Sequence, residues 1–195
     1  MTRTGKTYLL AIISVALLFG GSVALARHEA TNDKATKDTM SDAAFARAAD
    51  EANLAEVKLG QLAEEKGTTQ TVKDFGKRMV TDHSKAEDAL KSAAAKDKVT
   101  LPASLDAKDE ALYNSLSKLS GNAFDHAYQH DMIANHTNDV AAFRHEANDG
   151  KDPAIKSFAS ETLPTLETHL RMANEMSQST SAQKNSPSKS SRHSG

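Results

Sequence analysis

The sequence predicts an all-α domain. Apolar residues recur at three- and four-residue steps through four long segments, and none of these alternates with period two for the length of a strand. Four prolines and nine glycines in 195 residues are too few turn formers for a β-sandwich or barrel. The four segments are spaced unevenly, with two short connections flanking a long one, and that spacing selects among helical bundles.

The first segment spans 42–65, with Ser41 or Asp42 as its cap. Phe45, Ala48, Ala49, Ala52, Ala55, Leu59 and Leu62 make one stripe. Lys66-Gly67 stops it, with Gly67 suited to a left-handed cap. The second spans 69–96, its stripe running through Val72, Phe75, Gly76, Met79, His83, Ala86, Leu90 and Ala93. Val99 to Pro102 breaks the pattern, and a short helix over 109–119 carries Leu112, Leu116 and Leu119. Ser120-Gly121 separates it from the third long segment, 122–148, whose stripe is Phe124, Tyr128, Met132, His136, Val140, Phe143 and Ala147. Asp152-Pro153 then reads as a helix start, Asp as cap and Pro in the first position. The last segment runs to Met176 through Ile155, Phe158, Ala159, Leu163, Leu166, Leu170 and Ala173. Pro164 removes a hydrogen bond to Ser160 and should bend it; such a bend would also aim His169 inward.

Tight connections make antiparallel hairpins of the first two and last two long helices. The connection between the hairpins is long enough to travel back along helices of about 36 Å. Two hairpins joined by one long crossover, here with a short helix inside it, are the ferritin-like form of the four-helix bundle.

The ends differ in composition from residues 41–176. Arg3 and Lys6 precede an apolar run from Tyr8 to Phe19, and Ala24-Leu25-Ala26 is a small-x-small cleavage pattern. Residues 1–26 therefore read as a secretory signal peptide. The apolar run is shorter than the roughly 20 residues of a spanning helix, which favours cleavage over a retained anchor. Residues 27–40 are polar and aperiodic and are expected to be a flexible leader; residues 177–195 are Ser-rich and are expected to be a disordered tail. Lys184, Lys189 and Arg192 in that tail allow at most weak contact with anionic envelope material. The expected address is the periplasm or an association with the outer membrane.

Composition excludes several functions. With no cysteine there is no disulfide, thiolate site, cysteine nucleophile or acylated lipoprotein anchor. Residues 41–176 carry 16 Lys+Arg and 23 Asp+Glu, and that acidic surface disfavours nucleic acid while suiting cations. Phosphate-loop, nucleophile-elbow and H-E-x-x-H motifs are all missing from the sequence.

Polar residues at apolar-phase positions carry the functional signal. His83 lies four after Met79, His136 four after Met132, His169 three after Leu166, and Glu56 four after Ala52. Each long helix thus offers one donor near its inner stripe, and facing donors in a bundle build metal sites. The candidate ligands are Glu56, His83, His136 and His169. Asp82, Glu87 and Asp139, with Asp131, lie close enough in phase to support them. Imidazole with carboxylate suits Fe, Mn, Zn or Cu. A di-iron site would need Glu-x-x-His on two helices, which the chain lacks, so a metal-dependent oxidase ranks last. Counting from the turns leaves Glu56 and His83, and likewise His136 and His169, roughly 8 Å apart in height at about 1.5 Å per residue. His126, His130 and His145 fall off the stripe and are expected in solvent. The competing reading is a structural or interaction protein whose histidines only pack.

Three strings, E-V-K-L-G-Q-L-A (56–63), V-K-D-F-G-K-R-M-V-T-D-H-S-K-A (72–86) and T-L-P-T-L-E-T-H-L (162–170), resemble an exported bacterial family labelled domain of unknown function 4142. The M-V-x-D-H and L-P-x-L-x-x-H blocks place the family's motif histidines at His83 and His169. His136 sits where similar proteins tend to have Asp-His; here Asn135 precedes it. The resemblance implies a ferritin-like fold and a cell-envelope address, and it implies no settled activity. Sequence alone therefore leads to an exported helical bundle with a metal-binding or stress-related role.

Overall fold

The computed structural model describes residues 40–184, with side chains to residue 178. The expected signal peptide, the leader up to residue 39 and the tail beyond 184 lie outside the described residues. Every regular element among the described residues is a helix: α1 (Asp42–Lys66), α2 (Gln70–Lys96), α3 (Ala107–Ser117), α4 (Gly121–Asp149) and α5 (Pro153–Lys184). None of these is long and apolar enough to cross a membrane.

The helix starts are set by side chains that satisfy the first free backbone N–H groups. Ser41 Oγ accepts from the Ala44 N–H at 3.2 Å, and Thr69 Oγ1 accepts from the Val72 N–H at 3.2 Å. Asp152 Oδ1 accepts from both Ala154 and Ile155 at 2.9 Å, the cap that Asp-Pro announces. Asp106 caps α3 by accepting from the Asp109 N–H at 2.7 Å, so this helix begins two residues earlier than its apolar pattern suggests.

Packing follows from which positions meet. Asn53 faces His83, and Gly60 faces Gly76; α1 and α2 therefore run in opposite directions. Phe143 meets Phe158 and His136 meets His169, which makes α4 and α5 antiparallel as well. Contacts of α1 with α4, through Phe45 and Phe143, and of α2 with α5, through Asp82 and His169, close a ring of four helices. With these directions α2 and α4 are parallel. Residues 97–120 accordingly carry the chain back along the bundle, and α3 lies against α1 and α4 on the way. Lys66 Nζ fastens the far end of this crossover by donating to the Ser117 and Leu119 carbonyls at 2.7 and 3.2 Å. Asp125 then accepts from the Thr68 backbone at 3.0 Å and ties the start of α4 to the α1–α2 connection.

Two local expectations need correction. Helix α5 does not stop at Met176 but continues to Lys184. Ser-rich composition signals poor burial, yet no glycine or proline stands before Pro187 to end the hydrogen-bond ladder. The first part of the expected tail is therefore helical. Gly67 is not left-handed (φ −53°). It is needed for space, because a Cβ there would lie 2.7 Å from the Ala63 carbonyl oxygen and 2.9 Å from Val72 Cγ1. The left-handed glycine is Gly121 (φ 61°), where the crossover turns into α4. Pro164 sits within α5, as expected of a residue that bends the helix and does not end it. Pro164 and Ser160 both face solvent, where water meets the unpaired carbonyl.

At the closest approach of α1 and α2, a Cβ on Gly76 would lie 2.6 Å from the Gly60 carbonyl oxygen and 2.8 Å from Ala63 Cβ. Overpacking of this kind costs about 1–3 kcal/mol, and better helix propensity returns about 1 kcal/mol at most. Gly76→Ala should therefore lower the urea midpoint, although glycine-to-alanine changes within helices ordinarily raise it.

Candidate metal centre

All four long helices interrupt their apolar faces at one level. On every helix the interruption falls between two apolar clusters. One cluster includes Leu59, Phe75, Met132 and Ala173; the other includes Phe45, Leu90, Val140 and Leu166. Between them lie Asn53 and Glu56 from α1, His83 from α2, His136 from α4 and His169 from α5. The three histidines and Glu56 are at most 2 % exposed, and Asn53 is buried with them.

The imidazoles converge. Ring centroids of His83 and His136 are 5.6 Å apart, and His169 is 5.3 Å from each. One nitrogen of every ring lies within 4.8 Å of one nitrogen of both others. The height mismatch expected from the turns is smaller than counted. Measured from the helix ends at Lys66, Gln70, Asp149 and Pro153, the offset is three residues in each hairpin, about 4.5 Å. The connecting residues cross between helices and add little height.

Each ring is held at its other nitrogen by an acceptor. His83 Nδ1 donates to Asn53 Oδ1 at 3.0 Å, His136 Nδ1 to the Met132 carbonyl at 3.0 Å, and His169 Nε2 to Asp82 Oδ2 at 2.9 Å. Donation fixes the tautomers. It leaves His83 Nε2, His136 Nε2 and His169 Nδ1 as bare lone pairs, and these three buried atoms have no hydrogen-bond partner. A ligating histidine commonly donates its second N–H to a carboxylate or carbonyl in this way.

Electrostatics keeps the rings neutral. Burial, reinforced by the other two rings, pushes His83 well below the usual histidine range. Burial and His169 lower His136 to about 4, against a smaller opposing pull from its bond to Met132. Burial also lowers His169, despite the carboxylate of Asp82. For Asp82 itself burial acts upward, but hydrogen bonds from His169 and Arg78 outweigh it and hold the carboxyl low. Phe75 walls one side, its ring centroid 6.5 Å from those of both His136 and His169.

The other candidates divide. Asp82 touches a ring, as described. Glu56 does not join the free nitrogens. Its Oε1 lies 4.0 Å from His136 Nδ1, the nitrogen already committed to Met132, so Glu56 stands against the back of that ring. Burial raises its carboxyl well above the ordinary range, with Asp139 adding to the shift. Glu87 turns outward and pairs with Lys91. Asp139 lines a pocket shared with Glu56, and burial followed by Asp109 lifts it to about 7. Asp131 pairs with the exposed His130 at 3.6 Å. His126 is exposed, and His145 is half-buried and bonded to Asp149 at 2.8 Å. Asn53 was not singled out by sequence. Its position four after Ala49 and three before Glu56 is the signal that places it on the inner face.

Two pH effects of opposite sign follow for the metal-free protein. His136 binds its proton near pH 4 when folded and near 6.5 when unfolded. The unfolded chain holds more protons between those values, so stability falls as pH drops through that window. The stability gap between wild type and His136→Gln should narrow by about 2–3 kcal/mol from pH 7 to pH 4; parallel urea curves at the two pH values would refute the assignment. Asp139, raised to about 7, holds its proton in the folded state where the unfolded chain has lost it, and stability falls as pH rises toward 7. In chelator, Asp139→Asn should gain about 2 kcal/mol on wild type between pH 5 and pH 8, read from thermal melts.

No curated protein and no solved structure matches the chain. The sequence pattern of the family described as "Domain of unknown function (DUF4142)" matches residues 26–176. That span covers most of the chain, all of α1 to α4, and the three converging histidines with their partners, and the protein belongs to that family.

Proposed function

We propose that this is an exported, ferritin-like helical bundle that binds one transition-metal ion on His83, His136 and His169. The supporting observation is the set of three buried, unpartnered nitrogen lone pairs that converge at the centre of the core. An unsatisfied buried polar atom costs about 1–3 kcal/mol, and three together argue against histidines that only pack. A water molecule brings two donors and leaves one lone pair unmet, whereas a cation serves all three.

The donor set narrows the metal. Zinc and copper accept an all-imidazole set and rank above manganese, which prefers oxygen. Iron falls with it, since Glu56 stands behind His136 and no carboxylate is among the free donors. Rings that stay neutral at pH 7 ligate without first losing a proton. Drawing the three nitrogens onto an ion at about 2.1 Å needs the rings to close slightly. Antiparallel pairing with a long crossover supports the ferritin-like arrangement. Export and an envelope address rest on the signal-like residues 1–26.

Mature protein purified from the periplasm without a His-tag should carry one zinc or copper ion per chain by elemental analysis. At a metal concentration of 100 times Kd the bound form gains about 2.7 kcal/mol, read as a higher melting temperature. His83→Ala with His169→Ala should abolish both the metal and the gain. Metal-free wild type that takes up no ion and melts unchanged with zinc or copper would favour the packing reading.

A further inference from the structure

One of the three hydrogen bonds that orient the imidazoles differs in kind. His83 and His136 donate to neutral oxygens, the Asn53 amide and the Met132 carbonyl. His169 donates to a carboxylate, Asp82 Oδ2, at 2.9 Å. The same oxygen accepts from Arg78 Nε at 2.8 Å, one turn earlier on α2. A line of three groups therefore runs from solvent to the imidazole cluster. The His169 side chain is fully buried, that of Asp82 is 22 % exposed and that of Arg78 is 48 % exposed. Glu56, 4.0 Å from His136 Nδ1, is pushed toward its neutral form by burial. Asp82 is the carboxylate that reaches a ring and is held in its charged form.

We infer that Asp82 and Arg78 set the metal affinity of the three-histidine site from outside it, Asp82 raising it through His169 and Arg78 lowering it. The inference rests on the imidazole site proposed above. Asp82 is a positioning residue, since it acts through another side chain. Its two effects share a sign. By accepting from Nε2–H it fixes the tautomer that leaves Nδ1 bare, and a carboxylate behind the ring makes that lone pair a stronger donor. Its negative charge also offsets that of a cation held at Nδ1. Arg78 opposes both effects. Its guanidinium draws on the oxygen that His169 uses, and it brings positive charge toward the site. Exposure to water makes the contribution of Arg78 the smaller one. An ion pair at this spacing on a helix ordinarily does no more than add slight stability. Lys91 and Glu87 form such a pair on the same helix, with no imidazole bonded to it. Sharing of Asp82 Oδ2 between Arg78 and His169 is what distinguishes the pair here.

The test measures zinc affinity of the mature, chelator-stripped chain at neutral pH by competition with a chromophoric chelator, together with the visible spectrum of the cobalt(II)-loaded protein. Asp82→Asn leaves a neutral oxygen or an amide N–H against His169. It should weaken zinc binding about tenfold to a hundredfold and move the cobalt d–d bands. Arg78→Gln should tighten zinc binding about threefold in low salt, the scale of an exposed charge, and the gain should shrink at about 1 M salt. Arg78→Lys keeps the charge and should bind as wild type does. Lys91→Gln should leave affinity and spectrum unchanged. Thermal melts of the metal-free variants report stability separately. A merely structural pair predicts equal loss of stability in Asp82→Asn and Arg78→Gln with zinc affinity unmoved. That result, or a shift of affinity in the same direction in both variants, would overturn the inference while leaving the imidazole site standing. A wild-type chain that takes up neither zinc nor cobalt would remove the imidazole site, and the inference with it.

Discussion

The structure depends on a polar layer buried at the middle of its core. Asn53, Glu56, His83, His136 and His169 occupy the middle of the bundle, between two apolar clusters. Such a layer holds together only if all four helices agree in height and rotation. Successive residues on a helix differ by about 100° around its axis. A one-residue slip of α4 would carry His136 out of the layer and force a neighbouring residue into it. The two apolar clusters prevent that slip from both sides, because Met132 and Val140 bracket His136 and Met79 and Leu90 bracket His83. Capping side chains and the Gly60–Gly76 approach then set the heights at which the apolar stripes mesh.

The layer has two faces with different chemistry, and His136 divides them. On one side its Nε2 joins the lone pairs of His83 and His169. On the other its Nδ1 bonds to Met132 with Glu56 close by. Nitrogen donors are therefore gathered within the ring of helices, and oxygen donors gather where α3 leans on α1 and α4. Acidic residues are ordinary in the first turn of a helix, and those of the crossover helix are Asp109 and Glu110. Here the crossover brings Asp106 and Asp109 to the flank where Glu56 and Asp139 are short of counter-charge. Each hydrogen bond that orients an imidazole comes from a different source: an amide on α1, a carbonyl on α4 itself and a carboxylate on α2. The orientation of the His83 and His169 rings thus depends on the assembled bundle, whereas that of His136 is set within α4.

Much of this was legible in sequence because it is periodic. Helix limits followed from caps and stripes. The three histidines stood out because a polar residue in an apolar phase is conspicuous at four-residue spacing. What sequence misplaced is what periodicity does not encode. Glu56 shares the phase of the ligands, but its side chain turns to the crossover side of His136, and only the placement of α3 makes that a distinct environment. Asn53 was overlooked because a short amide beside alanines looks like a surface residue until its neighbour is known to be His83. Height was overestimated because turn residues were counted as if they rose along the axis. The end of α5 was placed early because the composition of the tail indicates where burial stops. A helix ends where its hydrogen bonds are broken, and at Ser177 nothing breaks them.

Stability alone gives no reason for this layer. Replacing buried, imperfectly satisfied polar groups by apolar ones of similar volume is often neutral or stabilising, and Leu or Met at positions 83, 136 and 169 would continue the stripes above and below. The layer instead combines neutral imidazoles with carboxylates that burial holds toward the protonated state. Both conditions have one origin, a low-dielectric interior with no positive charge placed in it. The contrast is within one molecule: Asp125 and Asp152 are closed off by backbone donors, whereas His83, His136 and His169 each keep an unpartnered nitrogen. Three converging nitrogen acceptors are complementary to positive charge, and that is the physical ground for reading the imidazole cluster as a place for a cation.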